Sequence, residues 1–222
     1  MTVAPQAAGA CRLSATLAGA ALMLLPVTLL AIAHATPARA EGAVLTEQET
    51  VGAPPKRYVG AVTWSVEKEP PAAGAKPSGT KPSLALRGDV VIPERHVGVL
   101  FLLRRNTDRS LPATHTVDII FKLPADFPGR GIGNVAGVML KPNDQVRGTA
   151  LAGLVAKVTD SYYLFGLSAI EGDAKLNVDL LRDGKSLDIL IIYGNGTRAI
   201  LTLDKGASGD QAFKEAFAAW EK

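Results

Sequence analysis

Three arginines and a histidine lie in a short stretch of the chain whose pattern predicts a β-hairpin. The arginines follow the apolar run 97–103, and the histidine opens the next alternating run. A hairpin would bring them to one rim of the sheet, where guanidinium groups bind carboxylates or phosphates by paired hydrogen bonds. The alternative is a solvated loop in which the arginines pair with Asp108 and Asp118. The predicted ligand-binding residues are Arg104, Arg105, Arg109 and His115.

A second chemical signal is the segment GRGIGNVAG, residues 129–137, in which Gly131, Gly133 and Ala136 have the spacing of a dinucleotide-binding turn. That turn works only when it joins a buried strand to a helix whose N-terminus faces the pyrophosphate. Here prolines precede the glycines, and Pro142 lies where the helix would continue. The segment therefore predicts a glycine-rich loop beside a strand, and no cofactor is predicted.

Catalytic and metal-binding patterns are incomplete. Ser168 resembles the nucleophile elbow G-x-S-x-G, but Ile170 replaces the second glycine that the tight turn needs. After residue 40 the only histidines are His96 and His115, there is no cysteine, and the carboxylates match no metal-ligand spacing. The chain is therefore expected not to be an enzyme. A hydrolase of an envelope polymer, using carboxylates or Ser168 with His115, is the alternative.

The N-terminus carries an export signal. Residues 15–33 are uncharged and largely apolar, and TPARA follows them with Ala38 and Ala40 at the positions that signal peptidases require. We predict a signal peptide at 1–40, cleavage after Ala40 and a periplasmic location. An uncleaved membrane anchor is the alternative, because about 19 apolar residues nearly span a bilayer.

The elements that must position these residues are mostly strands. Residues 41–57 are predicted to be a flexible tail, and the Pro- and Gly-rich stretch 67–82 a flexible loop. Between and after them short apolar or alternating runs recur, and Asn195-Gly196 joins the last two as a hairpin turn. The predicted strands are 58–66, 84–92, 97–103, 117–123, 150–158, 162–170, 187–193 and 197–203.

Successive strands without alternating helices predict antiparallel sheets. We expect one domain over 58–222, an antiparallel β-sandwich of immunoglobulin-like or jelly-roll-like type. A C-terminal α-helix is predicted at about 208–221, where Phe213, Phe217 and Trp220 share one face and Ser208 begins a capping box. A further helical segment is predicted through Leu176 and Leu180.

The charge of the chain gives no reason to expect nucleic acid. The formal net charge is +3, but residues 1–40 hold two of the 24 basic residues and no acidic one, which leaves 22 basic against 21 acidic residues. The expected partner is an envelope protein or an anionic envelope ligand. Contact with a membrane is expected only through the N-terminal segment if it is uncleaved.

Several strings in the chain resemble a known domain. IPERH, RRNTDRSLPATHT, FKLPADFPGRGIGNVAGVMLK, GNGTRAILTLDKG and AFKEAFAAW are similar to a domain found near the C-terminus of exported alphaproteobacterial proteins. The resemblance covers residues 57–220 and implies an exported domain. It implies no activity, ligand or catalytic residue. The sequence therefore predicts an exported binding or interaction module, and the third alternative is a structural domain tethered by an uncleaved helix.

Overall fold

The computed structural model of this chain describes residues 39–48, 52, 54–68, 84–142 and 147–221. They belong to the compact unit Pro37–Lys222. The predicted signal peptide, apart from its last two residues, and the predicted loop from residue 69 onward lie outside the described residues. The elements are β1 (Ala40–Gln48), β2 (Lys56–Lys68), β3 (Leu84–Ile92), β4 (Val97–Arg105), β5 (Ala113–Lys122), β6 (Ile132–Lys141), β7 (Thr149–Ala150), β8 (Gly153–Lys157), β9 (Tyr162–Ser168), α1 (Glu171–Asp183), β10 (Ser186–Tyr193), β11 (Arg198–Asp204) and α2 (Gly206–Trp220).

The eleven strands form one antiparallel sheet that curls into a half-barrel around the core. Its order is β7-β6-β10-β11-β1-β2-β3-β4-β5-β9-β8. The prediction of a mainly β fold with a C-terminal helix is confirmed. The sandwich is not confirmed, because the described strands belong to a single sheet. Alternation of apolar and polar residues shows only that one face of a strand is buried, and both a sandwich and a curled sheet produce it.

The flexible tail predicted for 41–57 is wrong over residues 41–48, which belong to β1, and over Lys56 and Arg57, which begin β2. This strand lies between β11 and β2, with Leu45 opposite both Leu201 and Tyr58. Its inward side chains include Ala43, Leu45 and Glu47, so a carboxylate interrupts the apolar alternation. The pairing with β11 joins residues about 150 positions apart, and no local pattern reports it.

The glycine-rich segment is a turn followed by a strand. Arg130 and Gly131 both have positive φ, +57° and +79°, and β6 begins directly after them. The strand pairs with β10, and its register shifts between Val135 and Gly137, where a β-bulge leaves Ala136 without an opposite residue. The loop predicted from the glycines and the flanking prolines is therefore wrong over 132–137, and the bulge breaks the two-residue period that would have indicated a strand. The turn leads into an antiparallel strand and not into a helix.

Both predicted helices are present. The segment through Leu176 and Leu180 is α1, which ends just before Gly184. Helix α2 begins at Gly206, two residues earlier than predicted, and Ser208 is not its cap. Instead the Glu41 side chain from β1 accepts hydrogen bonds from the Ser208 backbone nitrogen at 3.2 Å and from the Ser208 hydroxyl at 2.8 Å.

Helix α2 packs against the inner face at one end of the curled sheet. Phe213 meets Trp64 edge-on at 5.3 Å, and the Trp220 indole nitrogen donates to the Leu84 carbonyl at 2.8 Å. We call this the helix end. The opposite end, where β1, β3, β5 and β10 finish and β2, β4, β6 and β11 begin, is called the distal end.

Candidate functional site

The four predicted binding residues lie at the end of the sheet where β4 turns into β5, but their side chains do not share one face. Arg104 and Arg105 are neighbours in a strand and therefore point to opposite faces of the sheet. Arg104 forms an ion pair with Asp118, one of the partners expected for a solvated loop, whereas Arg105 donates to the carbonyl oxygen of Trp220 at the end of α2. Arg109 lies in the exposed turn between β4 and β5. A ligand-binding role for the four residues stays a prediction.

His115 is buried against the last turn of α2. Its ring centroid lies 5.2 Å from that of Trp220 and 5.7 Å from that of Phe217, and Nδ1 is 3.1 Å from the Thr114 hydroxyl. Burial, with a smaller contribution from the nearby Arg105 charge, lowers the pKa of His115 from 6.5 to about 4. The imidazole is therefore neutral at pH 7 and serves as a packing surface for α2.

The residues named for a serine hydrolase are also apart. Leu167 pairs with His115 and both are buried on the inner face, so the next residue, Ser168, points outward. The Ser168 hydroxyl accepts a hydrogen bond from the Ile170 backbone nitrogen at 3.2 Å, just before α1. Within the described ranges, no group of three or more His, Cys, Asp or Glu side chains is arranged to hold a metal ion.

The distal end contains a buried polar cluster that sequence reasoning missed. Glu47, 1% exposed, accepts a hydrogen bond from the Tyr193 hydroxyl at 2.7 Å. Its same oxygen, Oε1, accepts from Arg95 Nη2 at 3.1 Å and Nε at 3.3 Å. Arg95 belongs to a single 3-10 turn, Pro93–Arg95, that joins β3 to β4. The carboxylate thus ties this turn to β1 and β10 across the distal end.

Aromatic rings complete the cluster. The Arg95 guanidinium lies 5.1 Å from the ring centre of Tyr58 and 5.2 Å from that of Phe127, within range of cation–π attraction. Phe127 meets Tyr193 edge-on at 5.0 Å. Burial and the hydrogen bond to Glu47 raise the pKa of Tyr193 well above its usual value, so its hydroxyl stays protonated and donating.

Two concave features adjoin this cluster. The first is an internal apolar cavity of about 10 Å³, the volume of roughly one water molecule, lined in part by Leu45, Phe127 and Tyr193. The second is an open groove of about 550 Å³ on the outer side of the distal end. Val97 and Leu123 line both. We call the second feature the distal groove, and its lining residues are Val91, Pro93, His96, Val97, Gly98, Lys122, Leu123 and Pro124.

The distal groove has apolar walls and a floor without a side chain. Gly98 points outward between Val91 of β3 and Lys122 of β5, so the surface of β4 is recessed there. Val91 is 56% exposed, and Lys122 and His96 are exposed at the edge. The arrangement can hold an apolar group and place an anionic one near the Lys122 ammonium.

One sequence signal points to this cluster. Glu47 falls on the inward side of an alternating segment whose other inward residues are Ala43 and Leu45. A carboxylate at such a position must find partners, because burying it unpaired is costly. The identity of those partners, Arg95 and Tyr193, is set by long-range pairing and is not visible in the sequence.

Comparisons with known proteins add no assignment. The chain matches no family model, no curated protein and no solved structure with significant similarity. Among the helices of the described residues, none is long and apolar enough to cross a membrane.

Proposed function

We propose that this chain is an exported, non-catalytic binding module of the cell envelope, located in the periplasm, and that it binds its partner at the distal end. The export signal before Glu41 supports the location. The distal groove supports the binding role and is the observation on which the proposal depends. Its lining is mainly apolar, with Lys122 at the edge, and this combination suits an amphipathic ligand.

The groove is held by groups that are fixed in place. Its floor is sheet backbone, and the turn that forms one wall is tied down through Arg95 to the buried Glu47. A site whose walls are already ordered loses little conformational entropy on binding, which favours affinity. An ordered apolar groove therefore suits recognition.

Binding is preferred to hydrolysis because Ser168 and His115 lie on opposite faces of the sheet and cannot act on one bond. The proposal does not need the two packed sheets of an immunoglobulin-like or jelly-roll-like sandwich, because a single curled sheet forms the groove. Tethering through an uncleaved N-terminal helix would leave the distal end unchanged and is separable from this proposal.

The test uses 1-anilinonaphthalene-8-sulfonate, whose rings and sulfonate match the apolar walls and Lys122. We expect saturable binding to the folded protein. Replacing Gly98→Val places a side chain on the groove floor, where its Cβ would lie 3.4 Å from the Lys122 Cβ. A clash with the bound probe should lower its affinity about tenfold or more.

Gly166→Val is the matched control. Gly166 also points outward in a strand, β9, and its added Cβ would meet the nearest atom, Ala113 Cβ, at the same 3.4 Å. Its probe affinity should equal that of the parent. Unchanged probe binding in Gly98→Val, or equal losses in both variants, would refute the assignment of the groove.

A further inference from the structure

Exposed basic side chains surround the distal end. In its described strand ends and turns the exposed acidic residues are Glu94, Asp126 and Asp160. Asp160 forms an ion pair with Lys157, and Glu47 forms one with Arg95. Besides Lys157, the exposed basic residues there are Lys56, Arg57, Lys122, Arg130 and Arg198. Among the described residues Arg57, Lys122, Arg130 and Arg198 outnumber Glu94 and Asp126, so this part of the end is basic, although the chain after residue 40 is nearly neutral.

These charges are spread too widely for one small anion. Arg198 is on β11 and Lys122 on β5, five strand spacings apart, or about 24 Å along the curled sheet. Hydrogen bonds to a single phosphate or carboxylate require all donors within about 3 Å of its oxygens. The arrangement matches a surface that carries many anions.

Exposed apolar side chains lie among these cations. Val59, Val91 and Ile200 point outward and are 70%, 56% and 38% exposed. Thr46 of β1 lies opposite both Arg57 of β2 and Ile200 of β11. The basic Arg57 and the apolar Ile200 therefore lie in the same row across the sheet, with one strand between them. Basic residues interspersed with exposed apolar ones are typical of proteins that bind the interface of anionic membranes.

We propose that the distal end docks on the surface of an anionic lipid bilayer. Arg57, Arg198 and Lys122 contact the lipid phosphates, and Val59 and Val91 enter the interface. The distal groove then receives the apolar part of a lipid from the membrane. The inference rests on the proposed function, because it takes the distal end as the binding face, and it names the partner. The apolar side chains favour a bilayer over nucleic acid, whose phosphate backbone offers no apolar layer.

The test measures co-sedimentation of the full chain with phosphatidylcholine vesicles, with and without added phosphatidylglycerol. We expect binding to require phosphatidylglycerol and to weaken as salt rises. Each positive charge near such a surface strengthens binding about fivefold, so Arg57→Gln/Arg198→Gln should lower it about thirtyfold. Val59→Ser/Val91→Ser should weaken binding and leave its salt dependence intact.

The matched control is Lys68→Gln/Lys214→Gln, which removes two exposed charges from β2 and α2 away from the distal end. It should bind like the parent. Every variant has the same N-terminus, so any binding through residues 1–40 is common to all. Equal binding to neutral and anionic vesicles, or equal losses in the two double variants, would overturn the proposal. So would tighter binding of the distal end to duplex DNA than to vesicles. Loss of vesicle binding with intact probe binding would leave the groove assignment standing.

Discussion

Acid should destabilise the docking of α2 through His115. The imidazole is buried and held neutral, with a folded-state pKa of about 4 against 6.5 for a solvated histidine. Below pH 6.5 His115 binds a proton in the unfolded chain, whereas in the folded chain it stays neutral until the pH approaches 4. The contribution to stability is therefore complete above pH 6.5 and is lost as pH falls from 6.5 toward 4. The charged group facing the ring is Arg105, which opposes its protonation.

The size of the effect follows from the difference between the two pKa values. A difference of about 2.5 units corresponds to about 3 kcal/mol of unfolding free energy when the loss is complete. At pH 5 the unfolded state is almost fully protonated at this site and the folded state is not, so about 2 kcal/mol is lost. His115 is 9% exposed, so solvent screening reduces this figure little.

Urea unfolding at pH 7.5 and pH 5, followed by tryptophan fluorescence, measures the effect because Trp64 contacts Phe213 of α2 and Trp220 of α2 contacts His115. Carboxylates also titrate in this range, so the quantity compared is the pH-dependent loss in each variant. His115→Phe keeps an aromatic ring and removes the titration, and its loss should be smaller by about 2 kcal/mol. His96→Asn, at the exposed histidine, should behave like the parent. Equal losses in His115→Phe and the parent would refute the reasoning.

Two further predictions concern the distal cluster and the N-terminus. Tyr193→Phe removes a hydrogen bond to a buried carboxylate and should lower the unfolding free energy by about 2 kcal/mol. Tyr162→Phe, which loses a bond to Asp118 in a partly exposed place, should cost less by the same urea assay, and equal losses would contradict the role of the cluster. Intact mass of protein from a periplasmic extract should match a chain beginning at Glu41, whereas full-length mass found only in membranes would favour the uncleaved anchor.

The strands with a regular period were predictable. In β4 the inward residues Val97, Val99, Phe101 and Leu103 alternate without interruption. Strand β10 is a nearly continuous apolar run, and the Asn195-Gly196 turn before β11 has the residues of a hairpin turn. In such segments each residue's environment is set by its own strand, so local pattern and tertiary structure agree.

Strands β1 and β6 were not predicted. In each of them the alternation of buried and exposed residues is interrupted, and the interruption is explained by contacts with residues far away in the sequence. Glu47 interrupts the apolar face of β1, and its partner Arg95 is 48 residues away. In β6 the bulge at Ala136 shifts the inward face by one residue. In both cases the interaction that explains the break comes from a distant part of the chain, from the Arg95 turn and β10 for Glu47 and from β10 for the bulge. A window of neighbouring residues does not contain it.

The candidate site shows the same division. The sequence showed which residues could bind anions, but it did not show to which face of the sheet each side chain points. Arg104 and Arg105 are adjacent in sequence, and the pleat of the strand sends one to Asp118 and the other to the end of α2. The distal end was not identified at all, because its members come from β1, β2, β5, β10, β11 and the turns beside them.

By itself, the sequence determined the class of secondary structure and both helices, because these depend on periodicity and composition within a few residues, and it predicts a signal peptide on the same local grounds. The tertiary structure alone decided that the strands form one curled sheet, that β1 lies between β11 and β2, and that the distal end gathers a basic, partly apolar surface. These features depend on which strands pair and in which register. Strand pairing and register are set by the free energy of the whole chain, so they cannot be inferred from any short segment.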